Sequence, residues 1–271
     1  MGRLDGKVAF ITGAARGQGR SHAVRLAQEG ADIIAIDVCK QLKAVRYPMS
    51  TPEDLEQTVK EVESLGRRIV AREADVRDAP ALQKALDEGI SQLGGVDIVL
   101  ANAGIGPGGD TTPDEQWDEV VDVNLKGVWN TGRVAIPSMI ERGEGGAIVL
   151  TSSTGGLVGP GMNYPGTLAY IAAKHGVIGL MRSWANYLAP FSIRVNSVAP
   201  TTVRTPMAGG GDIKRILDHS PHLAASLLNA MPVDAVDPID ISNAIAWLVS
   251  DQARYVTGTV VPVDAGNVNR R

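Results

Sequence analysis

Tyr170 and Lys174 stand four residues apart in a stretch of helical periodicity running to about Leu188, a spacing that puts phenol and ammonium on one helix face. A cation beside a phenol changes the acid. Bringing a phenol from a pKa of about 10 to about 7 takes roughly 4 kcal/mol. A charge about 4 Å away in an effective dielectric near 20 supplies about that much, so the pair could carry a proton near neutral pH. A second constellation lies near the start of the chain. Thr12-Gly13-Ala14-Ala15-Arg16-Gly17-Gln18-Gly19 follows an apolar run and precedes a helical stretch. A glycine turn between strand and helix aims main-chain N–H groups and the positive helix end at an anion, and a dinucleotide pyrophosphate is the natural ligand. Asp37 closes the next apolar run at 18 residues past Gly19, near the offset at which a carboxylate grips the adenosine ribose hydroxyls.

These groups need a scaffold that brings distant segments to one edge. Apolar runs rich in β-branched residues recur at 8–12, 32–37, 68–73, 96–101, 147–151, 193–198 and 259–263, giving seven candidate strands. Helical stretches with start signals lie between most of them: Thr51-Pro52-Glu53-Asp54 before Leu55, Asp78 before Leu82, and Thr112-Pro113-Asp114-Glu115 before Trp117. Alternation of strand and helix implies parallel pairing, and runs that are apolar throughout imply strands covered on both faces. The expectation is an α/β fold, a Rossmann-type doubly wound seven-stranded parallel sheet with helices on both faces, in a single domain over 1–271. Two segments exceed ordinary connections, 38–50 after the second strand and 200–237 before the last helix–strand pair. Apolar residues at helical spacing in 213–228 predict short helices over a cleft.

Composition narrows the partners. The 271 residues carry 26 Lys and Arg against 30 Asp and Glu, a formal charge of −4, so no basic surplus is available for nucleic acid. Cys39 is the one cysteine, which excludes an internal disulfide and Cys-rich metal sites; a small semi-buried hydrophobe is the expectation there rather than a reactive thiol. No apolar run approaches a membrane span, and the charges at Arg3, Asp5 and Lys7 leave no signal-peptide pattern, so a cytoplasmic location is expected. His219 and His222 form a metal-like pair, but Asp212 or Asp218 would have to complete it, and no metal is expected. His22 and His175 read as packing or surface residues. Arg67, Arg68 and Arg72 read as a solvated face. Trp117, Trp129, Trp184 and Trp247 fall in helical stretches, as core or subunit-face residues.

Further motifs occur in fixed order: Asp75-Val76 after the third strand, Asn102-Ala103-Gly104 after the fourth, Asn124, Ser152-Ser153 after the fifth, Asn196 to Pro200, and Val263-Asp264-Ala265-Gly266. With the glycine turn and the Tyr170, Lys174 pair they make the whole chain resemble the short-chain dehydrogenase/reductase family. The resemblance implies that Tyr170 is the general acid/base and that Lys174 lowers its pKa and holds the nicotinamide ribose. It also implies that Ser153 bonds the substrate oxygen, with Ser152 as the alternative, and that Asn124 links Lys174 to water through the helix backbone. The implied cofactor contacts are Gly13, Ala15, Arg16, Gly17, Gln18, Gly19, Asp37, Val38, Asp75 and Val76 at the adenosine and phosphate side. Asn102, Ala103, Gly104, Tyr170, Lys174, Pro200, Thr202, Val203 and Thr205 complete the set. A 2′-phosphate about 4 Å from Asp37 would be repelled by about 1–4 kcal/mol, which favours NAD over NADP, while a cation at Arg16 pulls the other way. Three departures stand out. Ser153 and Tyr170 are 17 apart, about four more than the family's habit, which marks an insertion in 159–168; Thr201 and Ala265 replace usual glycines.

The insertion at 38–51, with Cys39, Tyr47 and Pro48, together with Gly66 to Arg72 and Asp75 to Asp78, is similar to a narrower group, the mycofactocin-coupled, carveol-dehydrogenase-like enzymes of actinobacteria. That resemblance implies NAD held without exchange beneath the insertion and reoxidised in place by a mycofactocin redox carrier. A lid at about 206–232 would close the reactant pocket, lined by 154–157, 159–168 and 207–228. Leu157, Val158, Met162, Met207, Ile213, Ile216 and Leu217 make it suit a hydrophobic secondary alcohol or ketone, such as a terpenoid or steroid. The alternatives are an NADPH-dependent ketoreductase and a non-catalytic nucleotide-binding regulator. The family resemblance also implies a homo-oligomer, as a tetramer, paired through the helices bearing Trp117, Trp129 and Trp184.

Overall fold

The structure, a computed structural model, describes residues 2–106, 108–161, 163–208 and 228–270. Its seven strands are β1 (Val8–Thr12), β2 (Asp32–Asp37), β3 (Ile69–Glu73), β4 (Ile98–Ala101), β5 (Gly146–Thr151), β6 (Ile193–Pro200) and β7 (Val260–Val263). All pair in parallel, in the order β3-β2-β1-β4-β5-β6-β7. The order reverses between β1 and β4, and a crevice opens there beyond the strand carboxyl ends. Strand alternation divides the apolar residues into two cores. Phe10, Ile34 and Ile36 face the cluster formed with α3 (Ala79–Leu93), α5 (Gly127–Arg142) and α6 (Pro165–Leu188). Ile11, Ile33 and Ala35 face the other, formed with α1 (Gly17–Gln28), α2 (Pro52–Ser64) and α7 (Pro238–Val249).

Helix starts fall where the capping residues stand. Thr51 and Asp54 close a capping box on α2, Asp78 accepts from the Ala81 N–H at the start of α3, and Thr112 and Glu115 cap α4 (Pro113–Val121). α4 runs into α5 through a π-helical turn at Asp122–Lys126, which holds Asn124.

The segment after β2 is packed rather than loose. The Gln41 side chain donates to the carbonyls of Leu42 and Val45, at 3.2 and 2.8 Å, and accepts from the Met49 N–H at 3.1 Å. Leu42, Val45 and Tyr47 join the core on the α3, α5 and α6 side. Ala44 is clamped on both sides: its N–H donates to Glu119 Oε2 at 2.7 Å, and its carbonyl accepts from the Gly109 N–H at 2.8 Å. Arg46 adds an ion pair with Asp110.

Of the arginines after α2, Arg68 and Arg72 are exposed, as expected of a solvated face, and all three hold acidic partners. Arg67 and Arg68 each reach Asp32 at 2.6 Å, and Arg72 reaches Glu88 at 2.5 Å. Asp32 is buried, and a buried carboxylate requires such partners. Trp184 packs on Gly132, while Trp117, Trp129 and Trp247 are exposed. The helices expected in 213–228 fall outside the described residues apart from the exposed Leu228, as do His219, His222, Asp212, Asp218 and Met162. Among the described residues no helix is long and apolar enough to cross a membrane.

Candidate active site

The glycine turn is held from both sides, by β2 and by the segment after β4. Ala14 N–H donates to Ile36 O at 3.0 Å, and the Asn102 amide donates to Thr12 O at 3.0 Å and Gly13 O at 3.3 Å. Gly13 has φ 70°, and a Cβ there would lie 2.8 Å from Ala103 Cα; one on Gly19 would lie 1.9 Å from Gly13 O. Side chains are therefore excluded where the main chain must be approached. α1 begins at Gly17 with no side chain capping its N–H groups, and Gly13, Arg16, Gly17, Gln18 and Gly19 line a cavity of about 130 Å³. Gln18 Oε1 is buried without a protein partner. An uncapped helix start and a cradle closed to Cβ atoms fit the diphosphate of a dinucleotide.

Asp37 lines the same cavity and accepts from Ala15 N–H at 2.9 Å, Cys39 N–H at 3.3 Å and Ser50 Oγ at 2.6 Å. Ala15 stands off the cavity wall and serves through that bond. Arg16 donates its guanidinium to the Pro48 carbonyl, so the cation in the turn is engaged by the insertion. Val38, Asp75, Val76 and Ala103 line this cavity too. Burial pushes the Asp75 carboxyl up, and hydrogen bonds from Arg77 outweigh it and hold the group below the usual carboxylate range. Arg77 also reaches Glu119 at 2.9 Å, which joins the insertion anchor to the adenosine wall. The Cys39 thiol is pushed up to about 12 by burial and by Asp37, Glu73, Asp54 and Glu53, which makes it unreactive at neutral pH. His22, fully buried on α1 with Nδ1 2.7 Å from Ser242 Oγ, is lowered to about 3 by burial.

A second cavity, of about 290 Å³, adjoins the first; Gln18, Tyr47, Asn102, Gly104, Thr205 and Met207 border both. Pro200, Thr202 and Val203 line it, as do Ser153, Tyr170 and Lys174. α6 carries Tyr170 and Lys174 one turn apart, with Lys174 Nζ 5.6 Å from the Tyr170 ring centroid and donating to Thr151 O at 2.8 Å. Burial lowers Lys174 to about 8. Burial also raises the Tyr170 hydroxyl, and a hydrogen bond with Ser153 pulls it back only in part. The acidification expected of the pair is thus outweighed in the protein alone, because both groups have lost water.

The two serines separate. Ser152 is buried and donates to Lys174 O at 2.9 Å, while Ser153 hydrogen-bonds Tyr170 and accepts from Gly155 N–H at 3.1 Å. Asn124 is fully buried, and its amide exchanges two 2.8 Å bonds with the main chain of Ile105. Any link from Asn124 to Lys174 therefore runs through its main chain. Gly104 lies between them: a Cβ there would be 3.2 Å from Asn124 Oδ1 and 3.5 Å from Lys174 Nζ.

Val158, Pro160, Thr167 and Ile171 wall the second cavity, so the insertion in 159–168 does reach it. Leu157 instead packs on the core, and Ile213, Ile216 and Leu217 fall outside the described residues. The lining residues that escape the sequence analysis include Gly106, Thr151, Ile171, Asn267 and Tyr47. Asn267 directly follows the Val263 to Gly266 motif, which could have pointed to it. Tyr47 carries no such signal beyond its place in the insertion.

Residues 13–267 match the family described as enoyl-(acyl carrier protein) reductase. A (−)-trans-carveol dehydrogenase of Rhodococcus erythropolis is 48% identical, aligned over 98% of this chain and 99% of its own. A crystal structure of carveol dehydrogenase from Mycobacterium avium in complex with NAD is 50% identical, with TM-score 0.91 over 99% of this chain and 100% of that one. A short-chain dehydrogenase from Mycobacterium paratuberculosis bound to NAD is 45% identical, with TM-score 0.93 over the same shares. Identity at this level across both whole chains, on the same sheet and around the same cleft, makes this chain a member of the short-chain dehydrogenase/reductase family.

Proposed function

We propose that the protein is an NAD-dependent dehydrogenase that interconverts a hydrophobic secondary alcohol and its ketone. The observation that carries this reading is the placement of Ser153, Tyr170 and Lys174 on the wall of a cavity that also has Val158, Pro160, Ile171 and Met207, and that adjoins the dinucleotide cradle. When bound, NAD supplies the acceptor for the hydride that leaves the carbinol carbon. Tyr170, as phenolate, takes the hydroxyl proton of the alcohol, and in the reverse direction returns it to the ketone oxygen. Ser153 donates to the reactant oxygen and stabilises the charge that develops there. Lys174, protonated, favours the phenolate and reaches the ribose hydroxyls. Asp37 accepts from the adenosine ribose and repels a 2′-phosphate, which supports NAD over NADP, and Arg16 gives one guanidinium N–H to the Pro48 carbonyl.

The insertion over the adenosine side, anchored through Ala44, Arg16 and Arg46, supports retention of NAD and its reoxidation in place by a redox carrier of the mycofactocin kind. Exposed Trp117 and Trp129 on the α4–α5 unit support a homo-oligomer. Two measurements test the reading. Purified protein should carry nucleotide absorbance without added cofactor, and cyclic secondary alcohols should reduce NAD while primary sugars do not. A nucleotide-free preparation removes the retention claim, and turnover with NADP but not NAD removes the cofactor assignment.

A further inference from the structure

We propose that Tyr47, supplied by the insertion after β2, sets the size of reactant that the second cavity accepts. The proposal rests on the alcohol dehydrogenase reading above and assigns the insertion a second task beside covering the adenosine. Tyr47 is 6% exposed and borders both cavities, although 123 positions separate it from Tyr170 in the chain. The residue is held at its hydroxyl and at its main chain. The hydroxyl accepts from Gly106 N–H at 3.1 Å, and the main-chain carbonyl accepts from the Gln41 amide at 3.4 Å. Around Gly106 three segments converge: a Cβ there would lie 3.7 Å from Tyr47 Cε1 and 3.2 Å from Met207 Cγ. The insertion, the segment after β4 and the segment after β6 therefore close one end of the cavity together, and Tyr47 brings the largest rigid surface to that closure. A fixed aromatic wall discriminates by volume, and one methylene of fit in an apolar pocket is worth about 10–200-fold in selectivity.

The test uses the full-length protein with NAD and a redox dye that reoxidises bound NADH, the variants Tyr47→Ala, Tyr47→Trp and Tyr47→Phe, and cyclohexanol, 4-tert-butylcyclohexanol and decahydro-2-naphthol as reactants. The ratio of kcat/KM for the largest to the smallest alcohol should rise about tenfold in the Ala variant and fall about tenfold in the Trp variant. The Phe variant keeps the ring and should stay within about threefold of the parent. The same ratio, read as Kd for the corresponding ketones by calorimetry on the NAD complex, needs no turnover. It separates failure of the alcohol dehydrogenase reading, no turnover with any of the alcohols, from failure of the Tyr47 assignment. Ratios unchanged in both Ala and Trp variants, with only NAD affinity altered, overturn it. Should the Ala variant melt early, the Trp and Phe variants decide the question by the sign of the Trp shift.

Discussion

The two ends of the cleft treat their polar groups in opposite ways. At the adenosine end the carboxylates already have protein donors: Asp37 is held by Ala15, Cys39 and Ser50, Asp75 by Arg77, and Glu119 by Arg77 and Ala44. At the reactant end Lys174 is buried with one hydrogen-bond acceptor, Thr151 O, among the described residues, and burial drives Lys174 down and Tyr170 up. One end is finished before any ligand arrives. The other keeps two titratable groups in surroundings that penalise their charged forms, which is the condition under which a nearby charge or reactant oxygen has most effect.

The sharpest test of that contrast is Tyr170→Phe, which should lower kcat by about 10²–10⁴-fold while NAD affinity, read by calorimetry, stays within about twofold. Equal loss of both would merge the two ends into one unit. Lys174→Met should also abolish most turnover, yet raise the melting temperature of the cofactor-free protein at pH 7. The sign follows from the lowered pKa. Between pH 8 and 10.5 the unfolded chain binds the extra proton, so stability of the parent rises with pH across that window, by roughly 3 kcal/mol in all. Below pH 8 the penalty of the buried ammonium is fully present. The Met variant should lack the slope, and a denaturation series across those pH values checks it.

At the finished end the expected effects are smaller and fall on binding. Asp37→Ala should raise NADP affinity relative to NAD by about 5–10³-fold, the equivalent of about 1–4 kcal/mol of relieved repulsion, measured by fluorescence titration of both nucleotides. An unchanged ratio would mean that the carboxylate serves Ala15 and Ser50 alone. Glu119→Gln weakens a charged hydrogen bond to the insertion, and bound NAD should exchange about tenfold faster with the Tyr170 pH profile unchanged. A shifted profile would show that the insertion controls the reacting groups as well as the cofactor.

Much of the scaffold was legible because its signals are local. β-branched runs placed five of the seven strands within one residue and β4 and β6 within two at one end, and Thr51, Asp78 and Thr112 marked helix starts because a cap acts on N–H groups two or three positions away. Charge partners were less legible. The partner of Arg67 and Arg68 was hidden because Asp32 lies 35 and 36 positions away, and that of Arg16 because its acceptor is a main-chain carbonyl, which no residue type advertises. The choice between Ser152 and Ser153 was open for a different reason. Neighbours in extended chain point to opposite sides, so only the surroundings decide which hydroxyl meets Tyr170.

By itself the sequence determined the alternation of strands and helices, the glycine turn, the acidic residue ending β2 and the four-residue step from Tyr170 to Lys174, since each depends on chain geometry over a few residues. Only the tertiary structure decided that Tyr47 and Met207 meet at Gly106, that Gln18 has an unpartnered oxygen at the junction of two cavities, and that burial rather than proximity governs the Tyr170 hydroxyl. Those outcomes depend on which groups lose water and which distant segments share the crevice between β1 and β4, and neither is encoded in any short stretch of chain.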